Sequence, residues 1–173
     1  MHNNSIKIFY FINEFNENDI KKLNKNIAII YRNYTTKINK NLIIKINNYC
    51  KKNGRKFYLS YHYKLASKLN LNGIYIPAFD NRPISKKSFL RRDFEILGSA
   101  HSLKELKIKE KQGCTLIFLS PIFKVKKSNY FLDIIKFNLL AKNTNKKIIA
   151  LGGIKQNNLK RISLTKSVGF ASI

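Results

Sequence analysis

Eight short apolar segments recur along the chain at fairly even intervals, and most are separated by stretches with helical spacing. They span residues 6–12, 27–32, 55–60, 73–78, 94–99, 115–120, 147–153 and 168–173. All are rich in Ile, Phe and Tyr, the composition of strands. An unbroken apolar run such as Ile148 to Leu151 reads as a strand buried on both faces.

The intervening helical patterns are residues 39–52, 102–112, 129–142 and 156–166. The first puts Leu42, Ile43, Ile46, Tyr49 and Cys50 on one stripe and ends at Asn53-Gly54. The second starts with a capping box, Ser102 and Glu105, turns Leu103, Leu106 and Ile108 inward, and closes at Gly113. The third presents Phe131, Leu132, Ile135, Leu139 and Leu140, and the fourth Leu159, Ile162 and Leu164. Alternation of strand and helix means parallel pairing through right-handed crossovers. A closed eight-stranded barrel and an open doubly wound sheet both satisfy it. The strand count favours the barrel, whereas 173 residues is short against the ~250 typical of that fold. No linker, second domain or low-complexity tail interrupts the pattern. The expectation is one α/β domain over residues 1–173 that stops at strand eight with no closing C-terminal helix; spacing alone leaves both architectures open.

Charge adds a second constraint. Lys and Arg number 34 against 9 Asp and Glu, a net charge of +25, which attracts polyanions whatever the fold. The excess is scattered in pairs such as Lys51-Lys52, Arg91-Arg92 and Lys146-Lys147. A dedicated nucleic-acid module concentrates its cations, so the expectation is a solvated basic surface with no specific nucleic-acid partner. No apolar run reaches the ~18–20 residues of a membrane span, and the first fifteen residues lack a signal-peptide pattern. Cys50 and Cys114 show neither metal-ligand nor disulfide spacing. The expected setting is the cytoplasm, and assembly of several copies is left open.

A barrel builds its site at the C-terminal ends of its strands. Those ends carry Arg32, Ser60-Tyr61-His62, Asp80, Ser99 with His101, Ser120-Pro121 followed by Lys124, Lys126 and Lys127, and Gly152-Gly153. Small, hydroxyl and cationic groups with one carboxylate suit a phosphate and a divalent cation. Each has a plainer reading. Asp80 before Asn81-Arg82-Pro83 also makes an Asx turn, and Ser99 and Ser102 also serve as caps. His101 also fits a backbone-satisfied helix start, and Gly152-Gly153 admits either a phosphate or another backbone.

Taken in order, these pieces resemble the thiamine phosphate synthase/TenI family. The resemblance rests on Ser99-Ala100-His101-Ser102, Pro121-Ile122-Phe123, Ala150 to Ile154 and Gly169-Phe170-Ala171, with Arg32 and Asp80 matching earlier strands. It implies a (β/α)8 barrel. It also implies condensation of a hydroxymethylpyrimidine pyrophosphate with a thiazole phosphate, or tautomerisation of the thiazole in TenI-type members. Under it, Arg32 and Ser99 hold pyrophosphate; His101, Lys126 and Lys127 are further phosphate-binding candidates by their place on the same rim. Asp80 binds Mg²⁺, and Gly152 and Gly153 meet the thiazole phosphate. The chain departs from the family where strand three should end in Asn-Asp, a metal carboxylate; here the residues are Ser60-Tyr61. Val125, Lys127 and Ser128 stand where the synthases carry threonines and a lysine. A non-catalytic member that binds a phosphorylated ligand, and a non-specific polyanion binder, are the alternative readings.

Overall fold

The computed structural model describes residues 6–84, 91–126 and 128–173. The strands are β1 (Lys7–Ile12), β2 (Ala28–Tyr31), β3 (Phe57–Ser60), β4 (Gly73–Ile76), β5 (Glu95–Ala100), β6 (Leu116–Leu119), β7 (Lys147–Leu151) and β8 (Gly169–Ser172). Each pairs in parallel with its sequence neighbour, and β8 closes on β1 with Lys7 opposite Gly169. Seven lie within the segments read from the sequence, and β5 runs one residue past its segment, to Ala100. The closed pairing makes the barrel the fold and excludes the open sheet.

Strand geometry sorts the apolar residues into two layers, because successive side chains point to opposite faces. Twelve described residues fill the barrel interior, among them Phe9, Phe11, Tyr58, Tyr75 and Phe118. Twelve is the number that three layers of four require. Their rings meet edge to face, Phe9 on Phe118 at 5.1 Å and Phe11 on Tyr75 at 5.0 Å between centroids. The other layer, between strands and helices, contains Ile29, Ile43, Ile46, Phe57, Leu106, Ile117 and Phe137.

The helices are α1 (Glu17–Lys22), α2 (Lys40–Lys52), α3 (Tyr63–Lys68), α4 (Leu103–Lys111) and α5 (Asp133–Ala141), with a 3-10 turn at Leu159–Leu164. Two of them, α1 and α3, have no counterpart in the sequence reading. At six residues each they are too short to display a stripe. The fourth expected helix forms only the 3-10 turn, with Leu164 outside.

Two inward faces differ from expectation. In α5 the buried residues are Phe137 and Ala141, preceded by Leu132, while Phe131, Ile135 and Leu139 are exposed. That helix is apolar almost all round, so its spacing offers two stripes and the bulkier Phe137 takes the inside. In α4 Leu103 is exposed and Lys109 is fully buried. Burying an amine is tolerated when acceptors surround it. Lys109 Nζ donates to the Asp80 carbonyl at 2.7 Å and to Gln112 Oε1 at 2.9 Å.

The end opposite the strand termini is held by polar groups. Arg55 is buried and donates to the carbonyls of Ile20, Leu23, Asn24 and Ile27. It ties α1 and the loop after it to the start of β3. The Tyr58 hydroxyl donates to Glu95, which also pairs with Lys56 at 2.8 Å.

Candidate functional site

The alternation that fills the barrel continues past its last apolar layer. Two residues beyond interior Ile30, Tyr58, Leu97, Phe118 and Leu151 come Arg32, Ser60, Ser99, Ser120 and Gly153. Five strands therefore deliver a cation, three hydroxyls and a glycine to the C-terminal mouth.

Arg32 lies with its guanidinium carbon 4.6 Å from the Phe11 ring centroid, and its backbone N–H donates to the Ile12 carbonyl at 2.8 Å. Among the described residues no carboxylate pairs with it. Burial pushes the Tyr75 phenol up to about 12, while the Ser99 hydroxyl and the Arg32 charge pull the other way. The Tyr34 phenol is raised by burial and lowered by its hydrogen bond with Ser60 and the charge of Arg32; Ser60 Oγ and Tyr34 Oη are 3.3 Å apart. Arg32, Ser60, Ser99, Tyr34 and Tyr75 thus form one cluster, cationic and rich in hydroxyls, which suits an anion. Tyr34 and Tyr75 are additions that sequence reasoning missed. Tyr75 carried a signal, since it is the inward residue on β4 just below the mouth.

A second anion-friendly place lies at the end of β7. Gly152 and Gly153 have φ of +93° and +71°, values that favour glycine. Their close neighbour is backbone and side chain from the segment after β6. A Cβ on Gly152 would come 2.8 Å from Pro121 Cβ, and one on Gly153 would come 2.5 Å from the Phe123 carbonyl oxygen. The helix expected to begin here is absent, because the 3-10 turn starts only at Leu159. Among the described residues no group accepts from the N–H of Gly153 or Ile154. Gly153 opens on a hollow of about 280 Å³ with Lys124, Lys155, Asn158 and Arg161 around it. Asn158 Nδ2 donates to the Gly153 carbonyl at 2.8 Å. Arg161 lies 5.1 Å from the Phe123 ring and 3.1 Å from Asp133.

Of the remaining candidates, His101 reaches the mouth, its Nδ1 lying 3.1 Å from Ser120 Oγ. His101 Nδ1 is 2.8 Å from the Ser120 carbonyl. A carbonyl can only accept, so Nδ1 carries the proton and the ring ties β5 to β6. Glu105 Oε2 accepts from the His101 N–H at 2.6 Å and Ser102 Oγ from the Glu105 N–H at 3.3 Å, which completes the cap. Lys126 is exposed in a turn. Lys127 lies outside the described residues.

Asp80 is engaged on all sides. Arg82 grips its carboxylate with Nε at 2.9 Å and Nη2 at 3.2 Å, and the Arg82 N–H adds the Asx turn at 3.1 Å. Burial alone would raise its carboxyl, but the Arg82 hydrogen bonds and charge outweigh that and hold it below the ordinary value. The position matched to the other metal carboxylate is Tyr61, whose ring lies 4.3 Å beneath the Arg82 guanidinium. Among the described residues no cluster of three or more His, Cys, Asp or Glu is placed to hold a metal. A single carboxylate already chelated by an arginine does not fit a protein-held magnesium ion.

A family model described as thiamine monophosphate synthase matches residues 20–173. The chain belongs to the thiamine monophosphate synthase family. Among curated relatives it is 29% identical over 117 residues to the thiamine-phosphate synthase of Pelotomaculum thermopropionicum, covering 65% of this chain and 53% of that protein. It is 30% identical over 120 residues to the synthase of Prochlorococcus marinus, covering 68% of this chain and 34% of that one. The chain therefore matches about half of the first relative's length and a third of the second's. The thiamine phosphate pyrophosphorylase of Pyrococcus furiosus shares the fold, with a TM-score of 0.76 at 16% identity over 98% of this chain and 86% of that one. No helix among the described residues is long and apolar enough to cross a membrane.

Proposed function

We propose that this chain binds the two phosphorylated substrates of the family reaction and condenses them slowly, joining a hydroxymethylpyrimidine pyrophosphate to a thiazole phosphate with release of pyrophosphate. The observation that carries the reading is the pair of anion-friendly places at one mouth. Arg32 with the Ser60, Ser99, Tyr34 and Tyr75 hydroxyls suits the pyrophosphate. The N–H of Gly153, without an acceptor among the described residues, and the nearby Lys124, Lys155 and Arg161 suit the smaller phosphate.

Slow turnover follows from the same residues. Charge grows on the departing pyrophosphate, and each absent fixed donor costs ~10²–10³ in rate. His101, tied to Ser120 through Nδ1, positions the mouth.

The test is pyrophosphate release from both substrates. Turnover below about 1 s⁻¹ that disappears in Arg32→Ala supports the proposal. Tight binding of both substrates with no release would make the chain a non-catalytic binder of phosphorylated ligands.

A further inference from the structure

The ends of β3 and β4 do not fit a divalent ion, and the side chain that stands in its way is Arg82. Its guanidinium lies between Asp80 and Tyr61, the two positions that match the family's metal carboxylates. It chelates Asp80 on one side and packs over the Tyr61 ring at 4.3 Å on the other. The aromatic face attracts the cation through its ring quadrupole.

The charge is conserved in this exchange. A divalent ion between two carboxylates forms a neutral set. So does one arginine with one aspartate, once the second carboxylate has become a tyrosine. A magnesium ion would offer open coordination positions to a ligand. The arginine offers Nη1, for which no acceptor exists among the described residues, as a planar donor suited to a phosphate oxygen. The segment is anchored from below. Lys109 and Gln112 hold the Asp80 carbonyl at 2.7 and 2.8 Å, and Gln112 Nε2 also holds the Arg82 carbonyl at 2.8 Å. The backbone on either side of the ion pair is therefore fixed by α4.

We propose that Arg82 takes the place of the divalent cation, so that this chain engages a pyrophosphate group without metal. The inference rests on the reading of the mouth as a phosphate site.

The experiment is calorimetric titration of the full chain with inorganic pyrophosphate at physiological salt, once in EDTA and once in excess magnesium chloride. The expected affinities agree within about threefold. Arg82→Gln should weaken binding in EDTA by about tenfold or more, and magnesium should restore part of it by reaching the freed Asp80. Binding by the parent only with magnesium overturns the inference and leaves the phosphate site standing. Binding in EDTA that Arg82→Gln does not change also overturns it, since other cations would then hold the ligand. No binding by the parent under either condition overturns the phosphate reading and the inference together. The parent comparison needs no variant, and Arg82 is exposed, so its replacement is not expected to disturb folding; thermal melts check this.

Discussion

The Phe123 carbonyl oxygen stands where a side chain on Gly153 would begin: a Cβ there would lie 2.5 Å from it and 2.7 Å from the Lys124 carbonyl. The end of β7 and the segment after β6 are thus built against each other, backbone to backbone.

Gly153→Ala should therefore destabilise the protein by about 2–5 kcal/mol, from the collision and from φ of +71° together. Gly54→Ala is the control, because Gly54 has φ of +64° but nothing within 4 Å of a new Cβ. It should cost only the backbone term, ~1–2 kcal/mol. Urea unfolding of both decides the matter; equal costs would mean that the Phe123–Lys124 segment yields freely.

Lys109→Met should cost about 1–3 kcal/mol, because it leaves Gln112 Oε1 buried without its donor and removes one of two donors to the Asp80 carbonyl. Burial also lowers the Lys109 pKa, so part of the lost hydrogen bonding is offset by relief of that desolvation. Urea titration at neutral pH reads the net effect, and a variant as stable as the parent would show that the tether contributes nothing.

Glu95 predicts an acid limb to stability. Burial raises its carboxyl, but hydrogen bonds from Lys56 and Tyr58 outweigh that and hold it below the ordinary 4.5. A depressed carboxyl contributes stability above its unfolded value and loses it as pH falls through the folded one. Parent stability should therefore fall below about pH 4.5, and Glu95→Gln should flatten part of that fall. Unfolding midpoints between neutral pH and pH 3 measure it. Because Glu95 sits at the far end of the barrel, pyrophosphate affinity at pH 7 should stay unchanged in the variant.

Arg161→Met should weaken binding of inorganic phosphate at the Gly153 hollow. It removes a cation that is fixed by Asp133 and Phe123. A hydrogen bond to a charged group contributes roughly 1.5–3 kcal/mol, so a loss of about ten- to a hundredfold by titration is expected. An unchanged affinity would remove Arg161 from the site.

The eight strands were legible in the sequence because burial on both faces turns each into an apolar run. Closure into a barrel was implied only by the family resemblance, since an open sheet has the same runs. Arg32, Ser99 and Gly153 were legible for a related reason: strand period and strand ends are sequence properties. The inner face of α5 was not, because a helix apolar all round carries no direction. Nor were the buried Lys109 and the Asp80–Arg82 chelate. A charge reads as solvated until the fold brings acceptors to it, as the Asp80 carbonyl and Gln112 are brought to Lys109 from 29 and 3 residues away. The sequence by itself determined that Arg32, Ser99 and Gly153 stand at strand ends. Only the tertiary structure decided which groups join them and which are already engaged, because contacts such as Ser60–Tyr34 and His101–Ser120 span 26 and 19 residues and depend on packing that no local pattern encodes.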